Sequence, residues 1–375
     1  LDEKSEALNV MLQMQRQGLS YDFSNTPDSD NIKNTPVFKY LNDLMIEAGK
    51  PVGSAEPVIT LDKALILTEG IDWDPGREAF LVSTVQSGSI HAVNMDGKST
   101  ELVRANNENG IWGIYDVVVD ANNQRLWASS ASNPQFAGYD PVDKGRSVLL
   151  EFDLNSMDLI KRYPVPVDGR PHSLGNIALA PNGDVYVSDG MLPVVYVKKS
   201  DEKKLKPFFA SRERVSLRGL AVSDDGRFLY LADYEMGIGV VDILAGKASG
   251  LTKADTLNLG GIDGLEYWNG SLIIIQNGIS PQRVMSLKLG PYGTSVTYIA
   301  PLAVALEIMD APNFGTVVGD DFFFFANSHW GYSDENAKPV AIAKTSLTEV
   351  ANIVPADAKL LMEQYEKAQS EGRVK

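Results

Sequence analysis

The chain contains 375 residues, of which 44% are hydrophobic and 22% are charged, a composition typical of folded globular proteins. Its 49 acidic residues outnumber its 34 Lys and Arg residues and give a net charge of −15, which disfavours a surface that binds nucleic-acid phosphates. Cysteine is absent, so a thiolate nucleophile, a disulfide framework and a cysteine metal site are excluded. No apolar run approaches the roughly 18 residues that a membrane-spanning helix needs, so we predict no membrane span.

Residues 1–60 differ in pattern from the rest of the chain. Apolar residues fall near helical spacing between residues 5 and 17 and again between residues 38 and 46, where the run follows the helix-start signal Thr35-Pro36. The segment between these runs is polar and rich in turn-forming residues, which indicates a surface loop. The pattern predicts a short N-terminal helical extension over residues 1–60.

A short phrase recurs through the remainder of the chain: a glycine, an apolar strand, a polar turn and a second apolar strand that ends in a small or acidic residue. The phrase is clearest over residues 175–189 and 219–233. Six copies begin at Gly70, Gly113, Gly175, Gly219, Gly264 and Gly315, which are 43, 62, 44, 45 and 51 residues apart. Four-stranded propeller blades repeat about every 40 to 50 residues. The sequence therefore predicts an all-β fold, a six-bladed β-propeller over residues 61–352.

The long interval between the second and third copies indicates an insertion in blade two, around residues 133–145. Insertions on one face of a propeller often carry binding function. The ring also needs a strand from the other end of the chain to close it, and we expect Ala64–Leu67 to supply that strand, because an exposed sheet edge would otherwise remain. Residues 356–368 have a helical pattern, which predicts a C-terminal helical tail over residues 353–375.

Polar residues stand at or beside every repeat glycine. The innermost strand of each propeller blade starts near the central axis, so equivalent positions of all six blades are expected to meet around one channel mouth. The ring members are Glu69, Asp116, Asn176, Arg218, Asp263 and Asn313. Such a ring is suited to a hard cation, which prefers carboxylate and amide oxygens, or to a polyhydroxylated substrate. The alternative is that these residues cap the strand starts through local turn hydrogen bonds.

Histidine and aromatic residues add candidates for the same site. His172 lies in the segment that enters blade three and is a candidate base or ligand, while His329 follows an apolar strand and is a candidate for substrate binding. Trp112 and Tyr115 fall near a strand start, where they either offer a platform to a ligand or pack in the core. His91 lies within a strand, where a structural role is the simpler interpretation. A Gly-x-Ser-x-Gly nucleophile motif is absent, which disfavours a serine-hydrolase mechanism.

Several of these segments together resemble a known family. Glu69-Gly70 followed by Trp73, RPHSLGNIALAPNGDVYVSD, LRGLAVSDDGRFLYLAD and IDGLEY are similar to sequences of the SMP-30/gluconolactonase/LRE-like family, whose members are six-bladed propellers. The resemblance covers about residues 65–350. Blade two also resembles the royal-jelly and yellow proteins, and paraoxonases and strictosidine synthases are more distant six-bladed relatives. Because this family hosts several activities, the fold is the more specific implication.

The resemblance implies one divalent metal, calcium being the expected ion, at the channel mouth. By position in the sequence, two of the family's metal ligands correspond to Glu69 and Asp263. The family's asparagine ligands are not conserved at their positions in this chain, and Asn176 would act as a ligand in place of one of them. The family's activity implies hydrolysis of a small lactone or ester, with the ion polarising the carbonyl and Asp263 or His172 moving a proton.

Two departures from the family pattern leave an alternative open. Gly175 and Arg218 stand where the family has asparagine ligands, and a guanidinium cannot ligate a metal. Arg218 would then replace the cation by pairing with Glu69 and Asp263. The alternative function is a non-catalytic exported propeller that binds a small molecule or a partner protein.

The compartment and partners are inferred from fewer signals. The sequence begins at Leu1 rather than at a methionine, which we interpret as the removal of a leader from a periplasmic or secreted protein. The expected ligand is a small molecule, with Arg218, Asp116 and Asn313 among the residues expected to contact it.

Overall fold

The computed structural model describes residues 3–106, 109–330, 338–349, 354–355, 366–367 and 369–371. Its strands form six antiparallel sheets, and the innermost strand of each sheet contacts the innermost strands of the two neighbouring sheets. The last sheet meets the first in the same way, so the ring is closed. The prediction of a six-bladed β-propeller is confirmed.

The N-terminal region begins with the two predicted helices. They are α1 (Glu3–Arg16) and α2 (Pro36–Ala48), with short 3-10 turns at Phe23–Asn25 and Pro27–Ser29 between them. Thr35 caps α2, since its side chain accepts a hydrogen bond from the backbone N–H of Phe38. The helices pack on each other through apolar side chains and are followed by strands β1 (Val52–Gly53) and β2 (Glu56–Thr60).

The first three blades follow in chain order. Blade one consists of β3 (Thr68–Asp74), β4 (Ala79–Thr84), β5 (Ser89–Asn94) and β6 (Ser99–Arg104). Blade two consists of β7 (Gly113–Asp120), β8 (Arg125–Ala131), β9 (Ser147–Asp153) and β10 (Leu159–Pro164). Blade three consists of β11 (Leu174–Leu179), β12 (Val185–Asp189), β13 (Val194–Lys198) and β14 (Leu205–Ala210). The predicted insertion lies between β8 and β9 and includes a 3-10 turn at Pro141–Asp143.

The last three blades complete the ring. Blade four consists of β15 (Leu217–Val222), β16 (Phe228–Asp233), β17 (Gly237–Asp242) and β18 (Lys247–Gly250). Blade five consists of β19 (Ile262–Trp268), β20 (Ser271–Gln276), β21 (Arg283–Leu289) and β22 (Val296–Val304). Blade six contains β23 (Gly315–Val318), β24 (Asp321–Phe325) and β25 (Ala341–Ser346). A final strand, β26 (Val354–Pro355), pairs with β22, as does β1.

The strand that closes the ring is not the predicted one. β2 pairs with β25 as the outer strand of blade six, with Ile59 opposite Ile342, whereas residues 64–67 form no strand. The prediction of Ala64–Leu67 was wrong because hydrophobicity alone cannot separate a strand from a buried turn. Ile59 and Leu65 are both buried in the hydrophobic cluster between blades six and one. The chain thus contributes the closing strand from within residues 1–60.

The hydrophobic core lies between neighbouring blades rather than at one centre. Between blades one and two, for example, Leu81 and Ile90 pack against Leu126, Leu150 and Phe152, all of them almost completely buried. Each blade therefore depends on its neighbours for burial of both faces. The helical extension is joined to blade five, since the Ser20 N–H donates to the Ser280 carbonyl oxygen at 2.7 Å.

Two further predictions concern the C-terminal helix and the absence of a membrane-spanning helix. The predicted C-terminal helix over residues 356–368 lies outside the described residues except for residues 366 and 367. Among the described residues, no helix has the length and hydrophobicity required to cross a bilayer.

Candidate active site at the channel mouth

The inner strands change register at the positions that carry the predicted ring. The shift falls between Thr68 and Ile71, Ile114 and Asp116, Leu174 and Ile177, Leu217 and Leu220, and Ile262 and Gly264 in blades one to five. An extra residue in one strand of an antiparallel pair bends that strand and re-aims its side chains, and such bulges are common beside active sites. Glu69, Tyr115, Arg218 and Asp263 all lie within these shifts.

The repeat glycines allow the inner strands to approach each other around the axis. A Cβ atom on Gly70 would lie 2.6 Å from the Cα atom of Asp116 in blade two, and a Cβ atom on Gly219 would lie 2.6 Å from the Cβ atom of Leu265 in blade five. Any side chain at these two positions would therefore push neighbouring blades apart. The glycine of the repeat is a packing requirement of the ring.

Three of the ring members lie close together at the mouth. Arg218 Nε lies 3.8 Å from Asp263 Oδ1, and both residues act electrostatically on Glu69. Glu69 is 8% exposed, while the side chains of Asp263 and Arg218 are 19% and 47% exposed. The mouth therefore presents a half-exposed cation beside two carboxyl groups that are largely withdrawn from solvent.

Arg218 keeps its hydrogen-bonding capacity. Its guanidinium carbon lies 5.6 Å from the centroid of the Tyr234 ring, and its only ion pair among the described residues is the 3.8 Å contact with Asp263. That separation exceeds hydrogen-bond length. The guanidinium donates no hydrogen bond to any described residue, so its N–H groups are available to a ligand.

Asp263 is held by a short chain of side chains. Asn277 Nδ2 donates to Asp263 Oδ2 at 2.7 Å, and the Tyr234 hydroxyl donates to Asn277 Oδ1 at 3.1 Å. Because Asn277 follows strand β20 and Tyr234 follows β16, the chain joins blades four and five. These contacts fix one carboxylate oxygen of Asp263 and leave Oδ1 facing Arg218.

The pKa values of the two carboxyl groups at the mouth are raised to different degrees. Desolvation raises the pKa of Glu69 well above its usual range, and Asp263 raises it further although Arg218 opposes the shift. Desolvation also raises the pKa of Asp263, but Arg218 and the hydrogen bond from Asn277 counteract it. Trp330 Nε1 donates to Glu69 Oε1. A pair of carboxyl groups whose environments separate their pKa values is the arrangement that divides acid and base roles.

The blade-two insertion reaches the mouth through Asn133. Its Nδ2 group donates to the Tyr115 hydroxyl and to Ser173 Oγ, both at 2.9 Å. Tyr115 lies near Glu69, and desolvation together with that carboxyl raises the pKa of Tyr115 to about 12. The insertion thus holds a neutral phenol at the edge of the mouth, next to blade three.

A second tier of acids lies deeper in the channel. Asp72, Asp116 and Glu266 line a cavity of about 250 Å³, and desolvation raises the pKa of each, that of Asp116 to about 8. Sequence reasoning missed Asp72 and Glu266, although a signal was present. Both complete an acid-glycine-apolar-acid motif, EGID at residues 69–72 and DGLE at residues 263–266. Because the strand shifts register within each motif, residues three positions apart lie on the same side of the strand.

Two predicted ring members serve as links between blades. Asp116 Oδ2 accepts hydrogen bonds from the Ile177 N–H at 2.7 Å and from Asn176 Nδ2 at 3.0 Å. Asn176 Oδ1 in turn accepts from the Leu220 N–H at 2.6 Å. These bonds join blades two, three and four in sequence. Their partners lie 44 to 61 residues away in the next blade, so these bonds differ from the local turn hydrogen bonds of the alternative interpretation.

Asn313 precedes the inner strand of blade six and faces blade one. Its Nδ2 group donates to the Thr68 carbonyl oxygen at 3.4 Å. The residue is 2% exposed, and Asn313 Oδ1 and Thr68 Oγ1 both lack a partner among the described residues. Asn313 is thus buried at the blade six–blade one junction and contributes no donor to the open mouth.

The donor set at the mouth does not fit a divalent cation. Asn176 Oδ1 is occupied by a backbone N–H, and the Arg218 guanidinium stands beside Asp263 where a cation would be held. No cluster of three or more His, Asp and Glu ligands with metal-binding geometry occurs among the described residues. A fixed positive charge repels a second cation. The predicted calcium ion stays a prediction from resemblance.

Hydrogen bonds occupy both ring nitrogens of the two histidine candidates. His172 Nδ1 lies 2.7 Å from Asp189 Oδ2 and its Nε2 lies 3.0 Å from Asp168 Oδ1. His329 Nδ1 accepts from the Leu67 N–H at 3.0 Å while its Nε2 donates to the Lys338 carbonyl oxygen at 2.7 Å. Both rings are buried and both nitrogens of each are occupied. The structure gives them positioning contacts and leaves neither nitrogen free for a substrate.

The remaining aromatic candidate, Trp112, lies outside the mouth. Its indole Nε1 donates to Asp143 Oδ2 at 3.2 Å, and the ring lines two surface cavities beside the blade-two insertion. His91 is buried between Ser89 Oγ and Ser99 Oγ, as expected for a structural histidine. Sequence reasoning did not assign the contacts made by Asn133, Tyr234 and Asn277, because these residues follow strands in three different blades.

Comparison with known proteins gives the following result. No protein-family model matches the chain, and no curated protein sequence does. Among solved structures, a luciferin-regenerating enzyme is 15% identical with a TM-score of 0.54, over 82% of this chain and 99% of that chain. A gluconolactonase from Xanthomonas campestris is 13% identical with a TM-score of 0.53, over 79% and 89% of the two chains. The PQQ-bound aldose sugar dehydrogenase from Streptomyces coelicolor is 19% identical with a TM-score of 0.52, over 80% and 98%.

Identities this low establish similarity of fold and leave activity open. The coverage includes nearly all of each neighbour, so the likeness extends over the whole ring. The chain therefore shares its six-bladed β-propeller fold with gluconolactonase, luciferin-regenerating enzyme and sugar dehydrogenase structures.

Proposed function

We propose that the channel mouth hydrolyses a small lactone or ester by acid–base chemistry at Glu69, Arg218 and Asp263. The observation that carries this proposal is a pair of shielded carboxyl groups with unequally raised pKa values beside a guanidinium that donates no hydrogen bond to any described residue. A base, an acid and a donor for developing negative charge are the three groups that ester hydrolysis needs.

Asp263 acts as the base in this scheme. Asn277 fixes its Oδ2, so Oδ1 accepts a proton from a water molecule while the water oxygen attacks the substrate carbonyl carbon. The carbonyl oxygen then carries negative charge. Because Arg218 stands beside Oδ1 with free N–H groups, it stabilises that oxyanion when the substrate carbonyl lies against it.

Glu69 acts as the acid. Desolvation raises its pKa and so favours the protonated carboxyl group, which donates a proton to the leaving oxygen as the carbon–oxygen bond breaks. A lactone then gives one hydroxy acid, and an ester gives an acid and an alcohol. The proton gained by Asp263 returns to Glu69 through water, which leaves the site ready for another turnover. Solved structures of a gluconolactonase and a luciferin-regenerating enzyme with the same fold support the choice of reaction class.

The proposal is tested by assaying a panel of lactones and small esters with and without a chelator. Asp263→Asn keeps the side-chain volume but removes the base, so we expect kcat to fall by about 10²- to 10⁴-fold, with the chelator having no effect on the wild-type protein. Asp96→Asn, at an exposed turn of blade one, is the matched control and should retain full activity. Loss of wild-type activity on chelation would restore the metal mechanism, and undiminished turnover by Asp263→Asn would refute the assigned base.

A second candidate is a non-catalytic binding protein. The observation that favours it is again Arg218, because a half-exposed guanidinium with free N–H groups can bind a ligand carboxylate through two parallel hydrogen bonds. In this case Glu69 and Asp263 would only shape the pocket. Calorimetry with small carboxylates distinguishes the two functions: saturable binding that Arg218→Gln abolishes, with no turnover of any ester in the panel, would favour the binding protein.

A further inference from the structure

A second cavity, separate from the channel mouth, lies between blades two and three. Its volume is about 740 Å³, and none of Glu69, Arg218 and Asp263 lines it. The walls come from the end of the blade-two insertion, from strands β9 and β10, and from the segment 165–172 that leads into blade three. The assigned hydrolytic groups make no use of this cavity.

One part of the wall is apolar. It is formed by Trp112, Val148 and the run of residues 164–167, Pro-Val-Pro-Val. Val167 is 101% exposed, so its side chain contacts nothing among the described residues. The hydrogen bond from Trp112 Nε1 to Asp143 holds the indole at the edge of the cavity. A flat or branched hydrocarbon group would remove this surface from water.

The rest of the wall carries an excess of positive charge. Lys144, Arg146, Arg162 and Arg170 line the cavity together with one acid, Asp168, so four cations less one carboxylate leave a formal excess of three. The whole chain has a net charge of −15. Positive charge gathered around an apolar cleft in an acidic protein attracts an anion to that cleft specifically.

The partners of these cations show which are available. Arg170 pairs with Asp168 at 2.5 Å and Arg146 pairs with Asp143 at 2.8 Å. Arg162 Nε donates to the Asn109 carbonyl oxygen at 2.9 Å and has no carboxylate partner among the described residues. Lys144 makes no side-chain hydrogen bond or ion pair with any described residue. Among the described residues, two positive charges of the wall therefore have no carboxylate partner.

We propose that this cavity binds a small amphipathic carboxylate. The hydrocarbon body would pack on Trp112 and the Pro-Val-Pro-Val run, and the carboxylate would bind Lys144 and Arg162. The choice of a carboxylate on an apolar body follows from the arrangement of charge and apolar wall side by side, since neither a purely polar anion nor a neutral hydrocarbon uses both. The proposal is independent of hydrolysis at the channel mouth.

Isothermal titration of the full chain with naphthalene-1-carboxylate, compared with the neutral naphthalene-1-carboxamide, tests this site. We expect the acid to bind about tenfold more tightly than the amide, and added salt to reduce that difference. Lys144→Glu should weaken binding of the acid by about tenfold or more. Because Lys144 is exposed and its side chain makes no hydrogen bond or ion pair with any described residue, this variant should keep the wild-type Tm.

Two controls locate the site. Lys203→Glu changes the same charge at an exposed position of blade three, and Arg218→Gln removes the cation of the channel mouth; neither should alter the affinity. Equal affinity for the acid and the amide, no measurable binding of the acid, or unchanged binding by Lys144→Glu would each overturn the proposal. Binding of an acidic peptide such as tetraglutamate in place of the naphthoate would also overturn it, in favour of a protein partner.

Discussion

The mouth and the deeper tier of the channel contain the same kind of side chain in different surroundings. In the deeper tier, Asp72 and Asp116 accept hydrogen bonds from backbone N–H groups of the following blade, at 2.7 Å in both cases. At the mouth, Glu69 and Asp263 accept from the side chains of Trp330 and Asn277. Backbone donors cannot move without moving a blade, whereas side chains can. Asp72 and Asp116 therefore hold neighbouring blades together, whereas Glu69 and Asp263 are the acids of the proposed chemistry.

The largest expected effect concerns Glu69 at the mouth. Glu69→Gln removes the proposed acid, and we expect kcat to fall by about 10²- to 10⁴-fold. In the wild-type protein, activity should rise with pH as Asp263 loses its proton and fall at higher pH as Glu69 loses its own, because both pKa values are raised. In Glu69→Gln the alkaline decline should disappear from the pH–rate profile. A variant profile that keeps this decline would show that another group titrates there.

The second expected effect is a loss of stability when an acid of the deeper tier is removed. Asp72→Ala leaves the Val119 N–H and the Thr316 hydroxyl without their acceptor, so we expect the free energy of unfolding to fall by about 1–3 kcal/mol. Urea denaturation measures this difference. Asp96→Ala, at an exposed turn, is the control and should change stability little. If Asp72→Ala unfolded at the wild-type urea concentration, the structural role of the deeper tier would be contradicted.

A third expected effect is a pH dependence of stability that arises from Asp116. Its pKa is raised by burial from the ordinary value of 3.8 to about 8, so between these values the folded protein binds more protons at this site than the unfolded chain does. Stability should therefore decrease as pH rises from 4 to 8, by at most about 1.4 kcal/mol per pH unit for this group. Thermal unfolding of the wild-type protein and of Asp116→Asn at pH 5 and pH 8 measures it.

The amide in Asp116→Asn cannot titrate, so the variant should lose less stability than the wild-type protein between pH 5 and pH 8. Other raised carboxyl groups, Glu69 and Glu266 among them, keep part of the dependence in both proteins. The quantity to compare is thus the difference between the two slopes. Identical slopes would show that Asp116 does not take up a proton in this range.

Much of the fold could be predicted from the sequence because each blade repeats one local pattern. The glycine and the polar turn of each copy are set by neighbouring residues, and Gly183 and Gly226 indeed adopt φ angles of +82° and +68° in the turns of the two clearest copies. The closing strand could not be predicted in this way. Its partner β25 is almost three hundred residues away, and Ile59 and Leu65 are equally apolar.

The sequence by itself determined that six similar units place polar residues next to their first glycines, because strand and turn signals are local. Only the tertiary structure decided what each polar residue does. Asp116 meets a donor 61 residues away and Asn176 meets one 44 residues away, so both become links between blades, while Arg218 meets no such partner and stays available. Hydrogen bonds between residues so far apart depend on how closely the blades pack, which no local pattern specifies.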